Sequence, residues 1–372
     1  MSYSLAKINL TALAHNIETV RARLPRGVKI LFAVKSDAYG HGIEEVSRVA
    51  QEMGISYLGT STVEEGARIR NAGVNLPILL LNPILLFEIE VALDLDITLS
   101  ISNLAVAKAI SQGAEERGKV ARVQVNVDTG MQRFGIASEE ALPLFEGLRD
   151  LPCLRVEGLL SHLATAVSGS PEDRDYTNTQ LSRFEGLLDD LRDHNLLPLL
   201  RHIGNSAGTI RHEERVTTGD LNMVRLGTLL YGYPEVTRPW TEAIEPVATL
   251  TTRVVALREL APGDYVGYCR TYRASRAQQI AILPIGYGTG MPPQLANRGK
   301  VAVKGRYAPV IGTIGLNHTA IDITGIAGIV LGEEVEIFGP RLPADRLAKT
   351  AGLAVCELLV PALQGATDRT FV

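Results

Sequence analysis

Cysteine is nearly absent from this chain. There are three in 372 residues, Cys153, Cys269 and Cys356. They are far apart and odd in number, which excludes a disulfide framework, and their spacing offers no zinc site. So few thiols fit a reducing, cytoplasmic setting. Long apolar runs are lacking too. The most apolar stretch, Leu76 to Leu93, is broken by Pro77, Asn82, Pro83, Glu88 and Glu90, so it does not read as a bilayer span. The segment Met1 to Lys7 has no apolar core of the kind a signal peptide carries. Excess basic charge is missing: 37 Lys and Arg stand against 41 Asp and Glu, a net charge of −4. Nucleic acid and anionic membranes are therefore not expected partners. No GxGxxG follows the first candidate strand, which removes support for a dinucleotide site on an open α/β sheet. No short repeat or low-complexity segment is visible.

What remains is a chain with 46% hydrophobic and 21% charged residues, the balance of a soluble globular protein. Its length suggests two domains. Val/Ile/Leu-rich runs alternate with helical patterns through the first two-thirds. Strands are predicted near Lys29–Val34, Ser56–Gly59, Ile78–Leu81, Thr98–Ile101, Val120–Val127, Arg155–Leu160, Leu200–Ile203 and Met223–Leu226. Helices are predicted between them, such as Ile43–Glu52, Val63–Asn71 and Thr177–Asp193. About eight strand–helix units is the count of a TIM-like (β/α)8 barrel. A turn-rich segment, Gly232 to Trp240, reads as a linker. Beyond it come short β-rich runs: Ala248–Leu257, Gln279–Leu283, Lys300–Val303, Pro309–Ile311, Thr319–Ile323 and Glu334–Phe338. A helix from about Ala344 to Leu359 is expected to close them. The reading is an α/β barrel over residues 1–235 and a mainly β domain over 236–372.

One stretch stands out. The buried run Lys29–Val34 ends in Lys35, and Ser36-Asp37-Ala38-Tyr39-Gly40-His41-Gly42 follow. A lysine closing a buried strand is unfavourable unless its charge is neutralised or used. At the C-terminal mouth of a barrel it stands where active sites are built. Desolvation there lowers its pKa, which suits a Schiff-base amine. Taken alone, such a lysine more often snorkels to solvent.

The motif Ala33-Val34-Lys35-Ser36-Asp37-Ala38-Tyr39-Gly40-His41-Gly42 closely resembles the cofactor-lysine motif of alanine racemases, which bind pyridoxal 5′-phosphate (PLP). Further segments resemble that family. Asp128-Thr129-Gly130-Met131-Gln132-Arg133-Phe134-Gly135 carries Arg133, which the resemblance makes a substrate-binding residue. Glu157 to Ala164 carries His162, expected beside the cofactor ring. Ser206, Gly227 and Thr228 follow the seventh and eighth strands, where barrels often bind phosphate; with Tyr39 they would grip it. Arg225 would face the pyridine nitrogen. An arginine donates a hydrogen bond there without readily giving up its proton, so the ring stays a weak electron sink and racemisation is favoured over transamination. Gly267 to Tyr272 supplies Tyr268, the expected second base opposite Lys35.

The resemblance implies a PLP-dependent isomerase that interconverts L- and D-alanine for D-alanine biosynthesis. It also implies a homodimer in which Tyr268 of one chain serves the other.

Four positions depart from the pattern. Asn126 stands where a carbamylated lysine is common. A buried Arg133 would then lack its counter-charge, so a small anion such as chloride is expected between Arg133 and Asn126. Gly315-Leu316-Asn317 replaces Cys-Met-Asp, with Leu316 still able to offer a backbone N–H to substrate. Cys356 stands where a phosphate-binding tyrosine is usual, and Gly288-Thr289-Gly290 replaces Ala-Asp-Gly. These changes leave open a racemase of other or more amino acids. A PLP-dependent decarboxylase and a non-catalytic PLP-binding protein are the further alternatives. Arg225 argues against the first and the large β domain against the second.

Overall fold

The computed structural model describes residues 3–372. Eight parallel strands form a barrel: Lys29–Ala33, Tyr57–Thr60, Ile78–Pro83, Ile97–Ile101, Ala121–Asp128, Leu154–Leu160, Leu200–His202 and Met223–Leu226. All eight coincide with the predicted strands, apart from ends that move by a residue or two. The eighth pairs with the first, Met223 opposite Lys29 and Leu226 opposite Phe32. The seventh and eighth are joined by Asn222 N–H to Arg201 O at 3.1 Å and Arg225 N–H to Gly204 O at 2.9 Å.

The strands are apolar at consecutive positions because both their faces are buried. On the first, Ile30 and Phe32 face the surrounding helices. Leu31 faces inward, where it meets Leu79, Leu200 and Met223. The helices bury one stripe each. In Ile43–Glu52 the buried residues are Ile43, Val46, Ser47 and Ala50, the spacing of one helical face. The helix Val63–Asn71 starts at a capping box in which Thr62 and Glu65 satisfy each other's backbone N–H groups.

The C-terminal part is built on a nine-stranded sheet. Three features of it differ from the sequence reading. The N-terminal strand Ser4–Ile8 belongs to this sheet: it pairs antiparallel with Ala248–Arg253 and parallel with Asp368–Phe371. A division at residue 235 therefore assigns that strand to the wrong sheet. Its partners are hundreds of residues away, and local patterning carries no record of them. The run Ala248–Leu257 is two strands, Ala248–Arg253 and Ala256–Leu260, which lie far apart in the sheet order. Both halves are apolar enough to look continuous. The closing helix is likewise two, Ala344–Ala351 and Val355–Gln364, broken where Gly352 takes φ +72° and bent by 109°. Among the described residues no single helix is long and apolar enough to cross a membrane.

Candidate active site

The barrel's first strand ends at Ala33, and the chain then enters a left-handed turn. Ser36, Asp37, Ala38 and Tyr39 all have φ between 54° and 56°. Each non-glycine residue there costs roughly 1–2 kcal/mol, so four in a row need outside support. Ala38 N–H donates to Val34 O at 2.7 Å. Ser36 N–H donates to the Glu65 carboxylate at 2.5 Å. Asp37 is held by Arg68 at 2.7 Å and by Arg369 at 2.9 Å. His41 is fully buried, stacks on Tyr231 at 4.4 Å, and contacts the Ala38 and Tyr39 carbonyls through Nδ1 at 2.9 and 3.1 Å. Two acceptors at one nitrogen fix the proton on Nδ1. Burial pushes His41 down to about 4, so it braces the turn as a neutral ring.

The braced turn brings Lys35 and Tyr39 into one cavity of about 320 Å³. Arg133, His162, Ser206, Arg225, Gly227 and Thr228 line the same cavity. Burial lowers the Lys35 pKa, and the nearby Arg133 lowers it further. Arg225, 6% exposed, is pushed down to about 9 by burial and by Arg133. Its Nη1 donates to His202 Nδ1 at 2.8 Å, and its Nη2 to His162 Nδ1 at 3.1 Å and Ser161 O at 2.5 Å. Burial and then the Arg225 charge hold His162 well below the usual histidine range. Around Gly227 the backbone is open to close approach: a Cβ there would lie 2.9 Å from the Tyr39 hydroxyl. Gly227 N–H donates to the Ser206 hydroxyl at 3.0 Å. Three hydroxyls, those of Tyr39, Ser206 and Thr228, thus gather beside a bare glycine.

Two predicted site residues lie elsewhere. Tyr268 is 75% exposed and Leu316 53%, and both border a separate shallow depression with Thr313 and Asn317. The chain does not bring its second expected base to Lys35. The backbone around Tyr268 is also strained, with positive φ at Gly267, Cys269 and Arg270. The Thr313 hydroxyl holds the Tyr268 carbonyl at 2.8 Å.

Asn126 and Cys356 do line the cavity. Arg133, however, is exposed rather than buried, and its guanidinium rests 5.2 Å from the Phe134 ring centre. Solvent meets its charge in the single chain, where the sequence reading expected a buried guanidinium. Among the described residues no carboxylate forms an ion pair with it, in agreement with the loss of an acidic neighbour at Asn126.

Sequence reasoning missed two sets of residues. Glu235 lines the cavity and accepts the Thr228 hydroxyl at 3.0 Å. Burial of its carboxyl raises its pKa. Nothing in its turn-rich neighbourhood marked it. The second set, His202, Gln124 and Glu157, lies inside the barrel below Arg225. A signal existed: Arg122-Val123-Gln124-Val125-Asn126-Val127 alternates polar and apolar on a strand with both faces covered, so the polar face has to point into the barrel.

Comparison with known families decides the lineage. The alanine racemase N-terminal domain matches residues 8–235 and the alanine racemase C-terminal domain residues 247–369. This chain belongs to the alanine racemase family. An alanine racemase of Geobacter sulfurreducens is 33% identical over 361 residues, covering 95% of this chain and 94% of that protein. One of Desulforamulus reducens is 36% identical over 358 residues, covering 95% of each. The solved alanine racemase of Clostridium difficile 630 has a TM-score of 0.90 at 29% identity, covering 100% of this chain and 96% of that one. The family's cofactor, pyridoxal 5′-phosphate, fits the cavity: a half-buried amine for its aldehyde, a guanidinium for its ring nitrogen, and hydroxyls beside an open glycine backbone for its phosphate.

Proposed function

We propose that the chain interconverts L- and D-alanine with PLP by a two-base route, supplying D-alanine in the cytoplasm. Three free cysteines support that compartment. When bound at Lys35, the cofactor would supply an electron sink that acidifies the amino acid's α-proton. Lys35 moves that proton on one face, and its lowered pKa leaves more neutral amine near pH 7. Tyr268 serves the other face. Arg225 offers an N–H to the ring nitrogen and keeps its own proton. Tyr39, Ser206, Gly227 and Thr228 hold the phosphate. Arg133 and the Leu316 backbone N–H bind the substrate carboxylate, Arg133 through the paired donors of its guanidinium.

The observation that carries the reading is a separation. The cavity holds one base and every cofactor-facing group, while Tyr268 stands 75% exposed on the other domain. A homodimer in which Tyr268 and Leu316 of each chain close the cavity of the other makes both halves complete. A chloride between Asn126 and Arg133 has one support, the absence of a carboxylate partner for Arg133. Halide dependence of the rate tests it.

The main test uses L- and D-alanine in deuterated water, followed by chiral analysis. Both enantiomers exchange the α-hydrogen and reach the same mixture. Carbon dioxide release instead of exchange rejects racemisation for decarboxylation. A PLP-loaded protein that exchanges no α-hydrogen is a binder and not an enzyme.

A further inference from the structure

A line of buried polar side chains descends from the cavity into the barrel. Arg225 Nη1 meets His202 Nδ1 at 2.8 Å. His202 Nε2 meets Gln124 Oε1 at 2.8 Å. Gln124 Nε2 reaches Glu157 Oε1 at 3.5 Å. Glu157 also accepts from the Tyr57 hydroxyl at 2.9 Å and the Thr98 hydroxyl at 3.1 Å. His202 and Gln124 are fully buried, and Glu157 is 7% exposed. A polar line in a barrel interior is unfavourable unless every member is satisfied. Here each has a partner.

The donors have one direction. An arginine has no acceptor, so Arg225 donates and His202 Nδ1 accepts. Burial keeps His202 neutral. A neutral imidazole has a single N–H, so Nε2 carries it and donates to Gln124 Oε1. Gln124 then spends its amide N–H on Glu157, an acceptor only. On the cavity side the same logic holds for His162: its Nδ1 accepts from Arg225, so its Nε2–H is left to donate outward. Among the described residues, the one cation besides Arg225 within ion-pair reach of this line is Arg122, whose Nε is 4.0 Å from Glu157. Across the cavity Arg225 faces Arg133 and Lys35, both of its own sign, and the Glu235 carboxyl lines the same cavity with its hydrogen bond taken from Thr228.

We propose that Glu157 is a positioning residue for this racemase site, acting through Gln124 and His202 to hold Arg225 charged. The proposal rests on the functional reading above and adds the reason for its electrostatics. Arg225 has neutral partners and two like charges opposite it. Glu157 is the anion that the line connects to it.

The test uses the PLP-loaded full chain and three measurements. Histidine labelled with 15N reports tautomers directly in the unmutated protein. His202 is expected as the Nε2–H form, and an Nδ1–H form overturns the proposal. Glu157→Gln removes the charge and keeps the shape. Gln124→Met cuts the line at similar volume. In each, the alkaline change of the cofactor's visible band is expected to move down by about one pH unit. Alanine turnover is expected to fall about tenfold with KM changed less than twofold, as for a group acting on the transition state. The double variant is expected to be no worse than Gln124→Met alone, because a cut line cannot be cut again. An unmoved alkaline transition, or additive losses, overturns the proposal. Lowered thermal stability with an unmoved transition is such a result, since it marks a packing role. Absence of the visible band or of α-hydrogen exchange in the unmutated protein is the separate failure of the functional reading.

Discussion

The barrel mouth and the Tyr268 surface are built from similar materials and left in opposite states. Each holds a residue expected to move a proton. Each sits on strained backbone, four non-glycine positive φ values after Lys35 and two after Tyr268. At the mouth the strain is paid by Glu65, Asp37, Arg68, His41 and Arg369, and the lysine is desolvated among shifted groups. At the other region the turn is held by exposed groups, the Thr313 hydroxyl on the Tyr268 carbonyl and on the Thr271 hydroxyl, and the tyrosine is 75% exposed. Strain persists only where the surroundings over-determine it. The difference teaches that the mouth is braced within one chain while the tyrosine region is left exposed, which is the feature the proposed dimer would account for.

The largest effect is expected at the braced side. Lys35→Ala should abolish the visible band, racemisation and any borohydride-reducible link together; a reducible link that survives would move the cofactor to another amine.

Tyr268→Phe tests the exposed side. It should keep the band and lose on the order of 10²–10⁴ in rate, the usual contribution of a positioned base. Mixing it with Lys35→Ala sharpens the comparison. In exchanged heterodimers one site holds both intact bases, so roughly a quarter of all sites should recover. No recovery with subunit exchange verified would place the tyrosine in its own chain's site, or outside the chemistry.

His41 measures how much of the contrast is stability. Its folded pKa, about 4, lies below the unfolded 6.5. The unfolded chain therefore takes up a proton first as pH falls. Stability from this group is complete above pH 6.5 and is lost progressively down to about pH 4, by roughly 3 kcal/mol in all. Denaturant midpoints should show that acid loss, and His41→Asn, which keeps an N–H at the bracing position, should flatten it. An unchanged acid slope would mean that the turn is braced by other groups.

The smallest effect belongs to the phosphate end. Cys356 lines the cavity, and burial raises its thiol pKa, so it offers only a weak S–H donor. Cys356→Tyr adds a strong donor and should tighten PLP binding about tenfold, the equivalent of ~1.5 kcal/mol. Unchanged affinity in a spectral titration would show the position already filled, with Glu235 and its Thr228 contact the nearest candidates.

The eight barrel strands were legible in the chain because a strand buried on both faces must be apolar at successive positions, and that pattern is local. Lys35 was marked by its place at the end of a buried strand, whereas Tyr39, Arg133, His162, Ser206, Arg225, Gly227 and Thr228 were legible through their resemblance to a known family; all eight line one cavity at the barrel mouth. Only tertiary structure decided the rest. Ser4–Ile8 joined a sheet whose other strands lie at the far end of the chain. The apolar run after residue 248 split in two. Arg133 turned out exposed, and Tyr268 stood apart from Lys35. Glu157, Gln124 and His202 came from three different strands to make one line of donors. Burial, strand pairing and hydrogen-bond direction depend on what each side chain meets across the fold, and neighbours in sequence do not specify that.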